Sequence, residues 1–308
     1  MAMTTQITSQ ILKLDGKDFE IYMCGDRSSD KLALFLHGFP EQAYSWRHQM
    51  TMMAELGYKC WAPNQRGYGM SYSPSDVASY DMGNLMADVR NFINAANCKT
   101  VMLIAHDWGG IVAWNYAIQK FGPIDKLVVM NIPHPFVMAR EFKKWRQLKK
   151  SWYVFAFQVP FVWEYLLTRN KASFAIRVFF GDLAKRGKLN ADDIEAYRRN
   201  LLRPGGLKAM LNWYQALFRF SSINGKKLFA HNKEILDAPT LMIWGERDVA
   251  LGIHTTLGTK KYVKDFTIRY IPSGSHFVQN DVPDEVNRIL KAWVLGEEIP
   301  GETKPTTL

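Results

Sequence analysis

The chain has 308 residues, 47% of them hydrophobic and 22% charged, enough to bury a substantial core in one large domain or one domain carrying an insertion. Its formal net charge of +10 raises nucleic-acid and anionic-membrane readings, but basic residues are interspersed with acids and no nucleic-acid-binding pattern accompanies them. The first residues lack a charged region leading into an apolar run, and no apolar stretch is long enough for a bilayer; Cys24, Cys60 and Cys98 lack metal-ligand spacing. We therefore expect buried reduced thiols, no metal, no transmembrane segment and a cytoplasmic location.

Short apolar runs alternate with helical patterns, which predicts an α/β fold with a mostly parallel central sheet flanked by helices. Residues 17–24 read as a strand, and 32–36 as a second that ends at His37-Gly38-Phe39-Pro40. Residues 45–56 have helical spacing, with Trp46, Met50, Met53 and Leu56 on one side. A strand at 59–63 leads into the turn Arg66-Gly67-Tyr68-Gly69, and a helix at 81–96 takes Asp81 as its cap. The clearest buried strand is 101–106, followed by Asp107 and a helix from Gly109 to about Lys120; another strand covers 126–131. The alternation then stops. Residues 134–230 read as helical and aromatic-rich, most simply an inserted lid, before strands at 240–244 and 267–271 and a helix at 284–295. The expected division is core at 1–133, lid at 134–230, core again at 231–300, and a flexible polar tail at 301–308.

Asp107 sits at the strand-to-helix junction between small neighbours, Ala105 before it and Gly109 and Gly110 after it. A sharp turn there lifts one side chain above the sheet edge. A carboxylate is an anion at neutral pH, so it can attack a saturated carbon without first losing a proton. The bland alternative is an Asp that caps the following helix. Asp248 and His276 each follow a predicted strand, where ligands collect in open α/β sheets. The order Asp107, Asp248, His276 is that of nucleophile, acid and histidine in this fold class. His276 is then the base that activates water, and Asp248 fixes its tautomer. The backbone N–H groups of Phe39 and Trp108 suit an oxyanion hole, and their side chains, with Phe277, are expected in the substrate pocket. His37 and His106 read as hydrogen-bonding partners near the site. His48, His134, His231 and His254 read as ordinary surface or core residues.

His37-Gly38-Phe39-Pro40-Glu41, Ser45-Trp46-Arg47, Arg66-Gly67-Tyr68-Gly69-x-Ser71, His106-Asp107-Trp108-Gly109-Gly110, Gly245-x-x-Asp248 and Gly274-Ser275-His276-Phe277 together resemble the motif set of α/β-hydrolase-fold epoxide hydrolases. The resemblance spans nearly the whole chain in the same order and is to the catalytic domain of the soluble, cytosolic-type enzymes. It leaves no room for the N-terminal phosphatase-like domain that some members carry. It implies two lid tyrosines that bond the epoxide oxygen, matched at Tyr153 in Trp152-Tyr153-Val154-Phe155 and at Tyr214 in Asn212-Trp213-Tyr214-Gln215. The implied reaction takes an epoxide and water to a vicinal diol without metal or organic cofactor, on lipid or apolar xenobiotic epoxides. A haloalkane dehalogenase shares the fold and nucleophile, but Phe39 lacks the side-chain amide often found there, and paired tyrosines favour an oxygen leaving group. A non-catalytic binding protein would ordinarily lack one of these groups. The basic run Arg140, Lys143, Lys144, Arg146, Lys149 and Lys150 reads as a solvated lid face, with weak peripheral membrane contact as the alternative. Oligomeric state is not legible.

Overall fold

The computed structural model describes residues 5–159, 161–219 and 235–306. The first strand, β1 (Thr8–Leu14), is mostly exposed, which is why its pattern carries no clear signal in the sequence. It pairs antiparallel with β2 (Lys17–Gly25) across a tight turn in which Asp15 and Gly16 both take positive φ. Beyond it, β3 (Lys31–Leu36), α1 (Arg47–Glu55), β4 (Lys59–Pro63), α2 (Met82–Ala96), β5 (Thr100–His106), α3 (Asp107–Ile118) and β6 (Lys126–Met130) follow the expected alternation. Asp81 caps α2, accepting from the Asn84 amide at 2.8 Å. The helix expected from Gly109 begins two residues earlier, at Asp107.

Between β6 and the next strand lies a block of helices: α4 (Pro135–Glu141), α5 (Trp145–Lys150), α6 (Trp152–Ala156), α7 (Val162–Lys185), α8 (Ala191–Leu202) and α9 (Gly206–Arg219). The helical expectation for 220–230, and His231, lie outside the described residues. The core resumes with β7 (Thr240–Gly245), β8 (Phe266–Ile271), α10 (Val278–Asp281) and α11 (Pro283–Leu295).

The eight strands form one sheet in the order β1-β2-β4-β3-β5-β6-β7-β8, parallel except for β2. β3, β5, β6 and β7 are apolar almost end to end because both sheet faces are covered. Alternate residues feed two cores. Leu34, Leu103 and Val129 join Phe92 and Trp114 on one face, while Phe35, Ile104 and Val128 join Trp46, Met50 and Ile289 on the other.

Polar ties seat the cap on this base: Trp213 Nε1 donates to Arg66 O at 3.1 Å, Arg203 to Gly67 O at 2.7 Å, and Arg186 to both oxygens of Asp281 at 2.7 and 2.8 Å. Two residues of the polar tail touch the core. The Tyr270 amide donates to Glu302 O at 2.8 Å, because β8 is a sheet edge with unpaired backbone groups to offer, and the Thr306 amide donates to the Glu246 carboxylate at 2.9 Å. No helix among the described residues is long and apolar enough to cross a membrane.

Candidate active site

β5 ends against β6 with His106 beside Met130, and the chain turns into α3 at Asp107, whose φ of 47° is left-handed. So tight a turn needs small neighbours. A Cβ on Gly109 would lie 2.3 Å from Leu36 O, and one on Gly110 would lie 2.3 Å from Ile132 Cγ2. Gly38, on the loop after β3, comes closest to Asp107: a Cβ there would meet Asp107 Cβ at 2.5 Å. This approach lets the Phe39 amide donate to Asp107 Oδ1 at 2.8 Å.

The other oxygen of Asp107, Oδ2, lies 3.6 Å from His276 Nε2. His276 Nδ1 lies 2.7 Å from Asp248 Oδ2, and a carboxylate only accepts, so Nδ1 carries a proton and Nε2 faces Asp107. Asp248 is itself saturated with donors. Its Oδ1 accepts from the amides of Ala250 and Leu251 at 2.7 and 2.8 Å, and its Oδ2 also accepts from Asn131 Nδ2 at 2.8 Å. Burial opposes charge on both aspartates. His276 outweighs it at each, through its hydrogen bond and charge at Asp107, and through its charge and hydrogen bond at Asp248, and both carboxyls stay below their usual range. Burial likewise opposes the imidazolium, but the charge of Asp248 and the hydrogen bond to Asp107 lift His276 well above an ordinary histidine.

The two neighbouring histidines do take hydrogen-bonding roles. Burial pushes His37 down to about 4 and so keeps it neutral; its Nε2 accepts from the Gln65 amide at 3.1 Å while Nδ1 faces Gly38 O at 3.1 Å. His106 Nε2 donates to His276 O at 2.8 Å, and its Nδ1 lies 3.0 Å from Glu41 Oε2. Glu41 is fully buried and accepts from Gln279 at 2.8 Å and Asn280 at 2.6 Å. The loop that carries His276 is thus tied to the loop that carries Phe39.

Above Asp107 a cavity of about 440 Å³ opens beneath the cap, walled by Trp108, Met138, Leu148, Val154 and Leu217, among other apolar groups. Tyr153 and Tyr214 also line it. Their rings are 6.2 Å apart, and Tyr214 packs edge-on to Trp108 at 4.9 Å. Burial first, then the nearby Asp107 charge, raises both phenols far above an ordinary tyrosine. Of the three residues expected in the pocket wall, only Trp108 lines this cavity. Phe39 is taken up by the rings of Phe157, Phe179 and Tyr214, and Phe277 by Phe180 and His276.

Residues 33–281 match the sequence profile of the α/β-hydrolase fold. Epoxide hydrolase 1 of Caenorhabditis elegans is 34% identical over 292 residues, 93% of this chain and 70% of that protein. Epoxide hydrolase 4 of Mus musculus is 33% identical over 292 residues, 93% of this chain and 79% of its own. The crystal structure of a Bacillus megaterium epoxide hydrolase in complex with an inhibitor superposes with a TM-score of 0.83 at 30% identity, covering 93% of this chain and 100% of that one. The chain belongs to the epoxide hydrolase family.

As an enzyme of that family it carries Asp107, Asp248 and His276 within the matched span, together with the described part of the cap. These three and both tyrosines come to one place, together with Asn131, which the sequence motifs do not single out. This residue directly follows β6 at a φ of 45°, accepts from the Gly245 amide at 2.9 Å and holds Asp248. The available signal was an Asn directly after a strand, one of the few side chains that tolerate such a turn. Among the described residues no group of three or more His, Cys, Asp or Glu is placed to hold a metal ion.

Proposed function

We propose that this epoxide hydrolase family member converts apolar epoxides to vicinal diols through an ester on Asp107. The observation that carries the reading is a carboxylate with one oxygen pinned by the Phe39 amide and the other 3.6 Å from His276, at the base of an apolar cavity that two tyrosines overhang. In the first step an Asp107 oxygen attacks a ring carbon, the carbon–oxygen bond opens, and the oxygen takes a proton from Tyr153 or Tyr214. Both hydroxyls are held above their usual range, so they remain protonated donors at neutral and mildly alkaline pH.

Esterification removes the Asp107 charge. One of the two anions that raise His276 is then gone, its pKa falls, and its proton returns to the tyrosinate. Neutral His276 next takes a proton from water, whose oxygen adds to the ester carbonyl. The Phe39 and Trp108 amides stabilise the resulting oxyanion. Collapse expels the diol oxygen, which takes up the second water proton, and leaves Asp107 as carboxylate and His276 as imidazolium, ready for another turn. The apolar wall supports lipid or xenobiotic epoxides as the substrate class, and unpaired Cys24, Cys60 and Cys98 support a reducing, cytoplasmic setting.

A single turnover with excess enzyme in ¹⁸O water tests the ester. Label is expected in Asp107 and absent from the first diol released; label in that diol with none in Asp107 means direct attack by water and sinks the mechanism. Halide release measured beside diol formation separates this chemistry from dehalogenation.

A further inference from the structure

Between Arg140 and Lys171 the cap carries eight Lys or Arg and only two Glu. One of those acids, Glu141, is buried. Burial opposes its charge, but Lys144 at 2.7 Å, Arg146 at 3.1 Å and Arg140 at 2.9 Å outweigh that and hold its pKa down to about 2. The carboxylate is turned inward and the excess positive charge outward, with Lys143 and Lys149 both exposed.

The same stretch also exposes large apolar groups. Trp145 is 69% exposed, Trp152 58%, Phe161 70% and Tyr165 62%, with Val159 and Val162 among them, whereas most of the other tryptophans are buried. Basic and aromatic groups are paired on this surface: Lys149 sits over the Trp145 ring at 5.4 Å and Arg169 over Tyr165 at 5.1 Å. Large rings exposed together mark an interaction surface, and the cations among them set the sign of the partner it fits. We propose that this face of the cap docks on an anionic lipid surface, with the rings at headgroup level and the lysines among the phosphates. A second copy of the chain fits less well, because a symmetric contact would set the same positive charge against itself.

The docking face is continuous with the cavity. Phe142, Leu148, Val154 and Phe155 belong to the same stretch and line the cavity wall. If the epoxide reading above is correct, docking sets that wall against the bilayer, from which an apolar epoxide could enter without crossing water. The docking itself does not depend on that reading.

Vesicle co-sedimentation of the full chain tests it. Partitioning onto phosphatidylcholine vesicles that contain phosphatidylserine is expected to exceed that onto phosphatidylcholine alone by about tenfold or more, and to weaken as salt rises. The pairs Lys143→Glu with Lys149→Glu, and Trp145→Ser with Phe161→Ser, should each abolish the difference. None of these four residues lines the cavity, so melting temperature and turnover of a water-soluble epoxide should stay at the wild-type value. Equal partitioning onto both vesicles, no binding to either, or full binding by the variants overturns the proposal. So does a dimer in sedimentation equilibrium that Trp145→Ser dissolves. Failure of epoxide turnover by the wild-type chain would overturn the enzymatic reading while leaving the lipid result standing.

Discussion

At the base of the cavity the candidate catalytic side chains are positioned by short polar contacts from distant loops; at its roof they are positioned by rings packed on rings. Asp248 alone receives four hydrogen bonds, and Asp107 is pinned by the Phe39 amide. Tyr153 and Tyr214 instead sit in a cluster with Phe157, Trp108 and Phe39, at ring separations of 4.9 to 6.2 Å. Hydrogen bonds fix direction to a few tenths of an ångström, whereas aromatic packing tolerates small shifts. In the proposed reaction the base would make and break bonds, and the roof would admit a range of substrates.

Three substitutions and a pH profile press on this contrast. The largest effect is expected for His276→Gln, which removes the proposed base but keeps a side chain of similar reach. Turnover should fall by about 10²–10⁴-fold, and intact-protein mass should show the substrate retained on Asp107. Fast turnover with no retained ester would mean that the base of the site does not work as described. Next comes Gly38→Ala. The added methyl would press on Asp107 Cβ at 2.5 Å and push the Phe39 amide off its oxygen, so we expect a loss of about 10²-fold in kcat with a small change in melting temperature. A loss in stability without a loss in kcat would show that the loop adapts. The smallest is Tyr153→Phe, about 10-fold in kcat/KM, because Tyr214 still donates. Because His276 holds Asp107 below the usual carboxylate range, its charge is lost only as pH falls through that lowered pKa. With both phenols raised, kcat/KM in the wild type should hold from about pH 5 upward until the His276 imidazolium, itself raised, loses its proton, with no limb from either phenol below about pH 9. An alkaline limb that disappears in Tyr153→Phe would place that phenol lower than its burial implies.

Much of the base was legible from the sequence. An Asp between a buried strand and two glycines, followed by an Asp and a His after later strands, specifies positions along a sheet edge, because β/α alternation brings strand ends together whatever the loops do. Strand β1 was not legible, because an exposed edge strand has no apolar alternation to read. Neither was the docking of Glu302 on Tyr270, since the pairing answers to an open sheet edge and not to the residue itself.

The sequence by itself determined the fold class, the candidate trio Asp107, Asp248 and His276, and the aromatic character of the cap, because each is written in local spacing and residue chemistry. Only the tertiary structure decided which rings face the cavity. Phe39 and Phe277 look like wall residues from their motifs, yet Phe179 and Phe180, far away in the chain, take them into the packing and leave Trp108 exposed to the cavity. Which neighbour a ring meets depends on contacts between elements remote in sequence, and no local pattern encodes that.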